Sequence, residues 1–259
     1  LKEYPDLESR MRIEVSKRIR RKEFTVGEFG KLDIFEEYVE SFKRYLLKNS
    51  KAYIITNEVF NAVTHGIGFG FAVAGLILLI LKGAAHHSTL EIVSYSIYGT
   101  TLVLLFLFST LFHSLIFTKA NQVFQVFDHS SIYLLIAGTY TPYCLITLNG
   151  WLGWTLFGIV WACAITGVVL KSVFLPKWDH VPRLSTVLYV IMGWLIVFAL
   201  KPLWDALPHA GVWLLFVGGV LYTCGAFFYS LKFPYAHVVW HLFVMAAAVL
   251  MWISVYKFI

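Results

Sequence analysis

Charge is scarce in this sequence. Asp, Glu, Lys and Arg supply only 14% of its 259 residues, against ~25% in an average soluble domain. Hydrophobic residues supply 59% and the mean hydropathy is +0.72, so a soluble fold has too few polar groups to cover its surface. The same figures exclude a disordered chain and a collagen-like one. Cysteine is sparse too. Cys144, Cys163 and Cys224 each sit inside an apolar run, where cysteine acts as a small buried hydrophobe, and they form neither a disulfide framework nor a redox motif. The N-terminal stretch has no signal-peptide layout. No internal repeat or low-complexity segment occurs, and the paired, interrupted segments of an inverted-repeat transporter are missing. A basic stripe for nucleic acid is missing as well: the net charge is +6, but residues 1–57 mix 13 Lys/Arg with 10 Asp/Glu. What remains is an all-α integral membrane protein.

A spanning helix needs ~20 largely apolar residues. Seven such runs are present, over 59–81, 92–117, 128–148, 151–170, 184–200, 211–231 and 236–256. Short connections with breakers or polar residues separate them, such as Asn149-Gly150 and the stretch from Pro202 to Pro208. Basic residues set the orientation. With the N-terminus in the cytoplasm, 18 Lys/Arg fall inside and only Lys82, Lys201 and Lys257 outside, which puts the C-terminus outside. The first 56 residues form a separate charged segment. Ile34, Phe35, Val39, Phe42, Tyr45 and Leu46 recur at near-helical spacing, as in an amphipathic helix on the cytoplasmic surface, and a partly ordered charged tail is the competing reading.

Ionisable groups at membrane depth are costly and point to function. Ser109 and His113 are four residues apart on the second span, so they share a face. At ~1.5 Å per residue His113 lies ~9 Å before Lys119, near the cytoplasmic boundary. The third span begins from that side with Asp128 and His129, and the seventh carries His237 and His241 one turn apart near its own cytoplasmic entry. Three helices therefore bring these groups to one depth. Three imidazoles with an open fourth position suit zinc, and an i, i+4 histidine pair presents both rings to one ion, although the HExxH motif is absent. His113, His237 and His241 are thus the candidate ligands. Asp128 is placed to act on water as general base, and Ser109 to orient a ligand or stabilise an oxyanion. A structural metal, or an Asp128 that merely caps the third helix, would produce the same pattern.

A second polar group stands at the start of the first span. Glu58, Asn61 and His65 follow i, i+3, i+7 spacing beside Asn57, and they suit substrate entry or support of the metal site, as His129 does; an ordinary interfacial helix start is the alternative. Gly66 and Gly70 form a GxxxG that marks close helix packing. Pro142, within Tyr140-Thr141-Pro142-Tyr143, predicts a kink. His86, His87, His180 and His209 fall in loops and are read as solvated.

Ser109-x3-His113, then Asp128-His129, then His237-x3-His241 resembles the progestin and adipoQ receptor family, and its bacterial branch, hemolysin III, most of all. Further marks are Asn57-Glu58-x2-Asn61-x2-Thr64-His65-Gly66, the stretch from Asp128 through Pro142, and Tyr235-x-His237-x2-Trp240-His241. The match spans roughly residues 57–259. The resemblance implies seven helices with the N-terminus inside, opposite to G-protein-coupled receptors. It implies zinc near the cytoplasmic face on His113, His237 and His241, with Asp128 associated with the zinc-bound water. Ser109 belongs to a motif shared with alkaline ceramidases and related intramembrane hydrolases. Eukaryotic relatives are hormone receptors with ceramidase-like activity; the bacterial branch carries a haemolysis label and a link to membrane-lipid homeostasis. The long N-terminal segment departs from a compact bacterial member and has a counterpart in the adiponectin receptors.

The leading expectation is a zinc-dependent hydrolase in the cell membrane that cleaves an acyl amide or ester of a membrane lipid. A receptor or sensor with structural zinc is the alternative. A secreted cytolysin fits poorly with seven resident spans. A serine hydrolase lacks its G-x-S-x-G elbow, and a retinal protein lacks a lysine midway along the seventh span, where Lys257 lies at the far end. The lipid and the oligomeric state are not written in the sequence.

Overall fold

A computed structural model describes residues 50–177, 183–231 and 233–259. Seven of its helices are long and apolar enough to cross a membrane, and no strand occurs among the described residues. The described residues from Asn57 to Ile259 belong to one compact unit. The amphipathic pattern over residues 34–46 and the loop residues His180 and Lys232 lie outside the described residues.

The helices are α1 (Lys51–Ala85), α2 (Thr89–Ser114), α3 (Ala120–Pro142), α4 (Trp151–Phe174), α5, α6 (His209–Ser230) and α7 (Ala236–Phe258). Here α5 denotes the fifth span, in which α-helical Arg183–Gly193 and Leu200–Ala206 flank a 3₁₀ stretch, Trp194–Ala199. Local chemistry explains the ends. Ser88 caps α2 by accepting from the Glu91 N–H at 3.3 Å, with Glu91 in the favourable first turn. Asn149 and Gly150 turn the chain between α3 and α4 with positive φ at both residues, and the Asn149 side chain accepts from the Gly150 N–H at 2.8 Å. The closest helix pairs are α6 with α7, α2 with α3, and α3 with α4.

Three expectations change in detail. First, α3 starts at Ala120, not near Asp128. Asn121, Gln122 and Gln125 lower the hydropathy of this stretch without breaking its backbone ladder, so Asp128 stands more than two turns inside the helix and is not its cap. Secondly, Pro142 marks a change of helix type: the ladder widens into a π-helical segment, Tyr143–Leu148. Thirdly, Gly66 and Gly70 are not the tight packing points. A Cβ on Gly70 would meet nothing within 4 Å and one on Gly66 only Thr110 at 3.7 Å, whereas one on Gly68 would lie 2.6 Å from the Phe106 ring. Gly68 thus lets α1 approach α2. Of the histidines expected in loops, His86 has Nδ1 2.7 Å from a Glu91 carboxylate oxygen, whereas His209 is the first residue of α6 and stacks on Trp204 with ring centroids 4.1 Å apart.

Buried tyrosines do much of the polar bookkeeping inside the bundle. Tyr143 donates its hydroxyl to Ser254 Oγ at 2.8 Å, and Ser254 donates to the Gly211 carbonyl at 2.7 Å, which ties the end of α3 to α7 and α6. Tyr140 spans the irregular part of α5. Its hydroxyl donates to the Gly193 carbonyl at 2.8 Å and accepts from the Ile196 N–H at 2.7 Å. Backbone groups freed by a helix irregularity have no water to bond inside a bilayer, so this one side chain makes the 3₁₀ stretch tolerable. Tyr140→Phe is therefore expected to destabilise the purified protein by about 1–3 kcal/mol, the cost of an orphaned buried group. Thermal unfolding in detergent checks this, and an unchanged melting point would contradict it.

Candidate metal centre

The helix periods converge on three imidazoles. His113 stands on the last turn of α2, and His237 and His241 share one face of α7 near its start. One ring nitrogen from each lies within 4.8 Å of the other two. The ring centroids are 4.9 Å apart for His113–His237, 5.0 Å for His113–His241 and 4.6 Å for His237–His241. Tetrahedral zinc with Zn–N of ~2.0–2.1 Å would hold the nitrogens ~3.4 Å apart, so small ring movements close the group onto one ion. The donor set fits a metal on a second count. His113 Nε2 is buried and has no hydrogen-bond partner among the described residues, an arrangement that costs free energy unless something takes its lone pair.

The neighbours come from α1 and α3. Glu58 Oε2 lies 2.5 Å from His113 Nδ1, and Asn57 donates its amide to Glu58 Oε1 at 3.0 Å. Thr64 Oγ1 lies 3.4 Å from His241 Nδ1. His65 stacks on His241, with centroids 3.5 Å apart and 13° between the planes. Asn61 is fully buried, and neither amide atom has a partner among the described residues. His129 donates from Nδ1 to the Gln125 carbonyl at 2.8 Å and lies 3.6 Å from an Asp128 carboxylate oxygen, apart from the three-nitrogen group. Sequence spacing left Glu58 between substrate entry and support of the metal site; the structure sets it against His113. Thr64 was visible only as part of a motif, with no hint of its place beside His241.

A cavity of about 180 Å³ extends from the histidines into the bundle. Ser109, Asp128, His129, His65, His237 and His241 line its polar end. Its remainder is mostly aliphatic and aromatic and runs along α3, α5, α6 and α7 as far as Leu200, Val212 and Met251. Val197 and Phe216 line it too and are 50% and 42% exposed. Ser109 Oγ is buried without a partner among the described residues, and its residue lines the cavity.

Comparison with known proteins finds a matching family and several relatives. The family described as "Haemolysin-III related" matches residues 53–252. Hemolysin-3 of Bacillus cereus is 46% identical over 202 residues, covering 78% of this chain and 91% of that protein. A hemolysin-3 homolog of Bacillus subtilis (strain 168) is 44% identical over 204 residues, covering 78% and 94%. The human monocyte to macrophage differentiation factor is 29% identical over 173 residues, covering 63% of this chain and 69% of its own length.

Elemental mass spectrometry of detergent-purified protein is expected to find about one transition-metal ion per chain, and close to none in the His237→Ala/His241→Ala double variant. A folded wild type without metal after zinc-supplemented growth would contradict the assignment.

Proposed function

The chain belongs to the haemolysin-III-related family, and from the histidine cluster at the head of its apolar cavity we propose that it is a zinc-dependent intramembrane hydrolase of a lipid acyl amide or ester, serving membrane-lipid homeostasis. It is a multi-pass cell-membrane protein. The observation that carries the reading is the continuity of metal-ligating, acid–base and apolar surfaces. His237 and His241 line the same cavity as Asp128 and Ser109, and the rest of that cavity suits a hydrocarbon chain. Such a site takes a substrate from the bilayer and holds its carbonyl beside polar groups. The excess of basic residues at the N-terminal side supports a cytoplasmic location for the polar end.

Zinc bound by His113, His237 and His241 would supply Lewis acidity and make water acidic near neutral pH. The remaining tasks fall to side chains of this chain. The Asp128 carboxylate removes a proton from the attacking water and returns it to the departing amine or alkoxide. Ser109, whose hydroxyl has no partner among the described residues, donates to the substrate's carbonyl oxygen as negative charge develops there. The apolar walls bind the acyl chain and keep bulk water away from the reacting carbonyl. The products are a fatty acid and an amine or alcohol, so one water is consumed for each bond cleaved.

Asp128→Ala is expected to retain the metal and lose about 10²–10⁴-fold in hydrolysis, the range for a general base. A panel of N-acyl sphingoid lipids and acyl glycerolipids, assayed with the wild type and this variant, checks it. Full activity in the variant would remove Asp128 from the mechanism; metal retained without turnover of any lipid would favour a receptor or sensor.

A further inference from the structure

Two of the three candidate ligands are gripped at the same ring atom by one helix. His113 Nδ1 lies 2.5 Å from Glu58 Oε2. An ionised carboxylate only accepts hydrogen bonds, so the proton in this contact belongs to Nδ1. The other oxygen of Glu58 is fixed by the Asn57 amide at 3.0 Å, which holds the carboxylate in place. His241 Nδ1 lies 3.4 Å from Thr64 Oγ1. Thr64 has one hydroxyl proton, and that proton is directed to the backbone carbonyls of Phe60 at 2.8 Å and Asn61 at 3.0 Å. The hydroxyl therefore offers the imidazole only lone pairs. Nδ1 is the protonated nitrogen here as well.

A neutral imidazole carries one N–H. With Nδ1 protonated in both rings, the bare nitrogen is Nε2 in both, and His113 Nε2 is the buried atom left without a partner. We propose that α1 is a tautomer clamp: Glu58 and Thr64 are positioning residues that hold His113 and His241 with Nε2 presented to the metal. The inference rests on the metal-dependent reading above and specifies how the chain builds that site. The two contacts differ in strength. Glu58 brings a charge, which makes the His113 ring a better donor to a metal, whereas Thr64 supplies only a neutral and longer contact. The stacked His65 ring leaves His241 little freedom to turn over and exchange its two nitrogens.

The test uses full-length protein in detergent, loaded with zinc alone. Nitrogen-15 NMR of histidine-labelled wild type is expected to show protonated Nδ1 and metal-shifted Nε2 for His113 and His241. Glu58→Gln should weaken zinc binding by about 10- to 100-fold and Thr64→Val by less, with Thr64→Ser restoring the wild-type value. Circular dichroism and unfolding of the metal-free forms establish that the variants fold. Zinc bound through Nδ1 of either histidine, or unchanged affinity in a folded Glu58→Gln, would overturn the clamp while leaving the metal site standing. A wild type that takes up no zinc would overturn the metal reading and the clamp with it.

Discussion

A polar group inside a bilayer has no water to turn to, and each one must find a partner within the protein or carry a free-energy penalty. That constraint organises this molecule. Its seven long helices satisfy their own backbone groups, and where the ladder departs from α geometry, as in α5, the Tyr140 hydroxyl takes up the freed carbonyl and N–H. With Ser94, Tyr95 and Thr147 as exceptions toward the other end, most of the side chains that violate the rule stand at the end of the bundle where α1, α3 and α7 begin. There His113, Ser109, Asn61 and His65 keep buried polar atoms without partners among the described residues. Such a concentration of unmet hydrogen-bonding capacity is what a site awaiting an ion, water or a substrate head group looks like.

The arrangement of helices gives that polar end its depth. The histidine pair on α7 and the single histidine on α2 face one another across a short gap, and α1 closes the gap from the side with Glu58, Thr64 and His65. Packing of α1 against α2 depends on Gly68, whose missing side chain leaves room for the Phe106 ring. The cavity below is lined from α2, through Leu105 and Ser109, and from α3, α5, α6 and α7, so the helices that carry ligands also bound the apolar space. A rigid polar head on an apolar channel follows from how these few helices meet.

Much of this was legible in the amino-acid order. Histidines and an aspartate stand out against apolar runs because ionisable residues are rare there, so Ser109, His113, Asp128, His237 and His241 could be placed at one depth by helix direction alone. Family resemblance pointed to the same residues. Helix starts were less legible: a count of apolar residues responds to hydropathy, and it passed over Asn121, Gln122 and Gln125 although the backbone there is helical. Pairings between helices were not legible at all. The contact of Glu58 with His113 joins residues 55 apart in sequence, and it depends on the rotation of α1 about its axis. The choice of Gly68 over Gly66 and Gly70 depends on that same rotation, and the extent of the cavity along α5 and α6 depends on tilts that periodicity does not encode.

The central claim is that three imidazoles from α2 and α7 hold one zinc ion at the head of a largely apolar cavity. Anomalous diffraction recorded at the zinc absorption edge from crystals of the zinc-loaded protein tests it most directly. The account predicts one strong peak enclosed by His113, His237 and His241. Zinc located elsewhere, with those three rings unliganded, would contradict it.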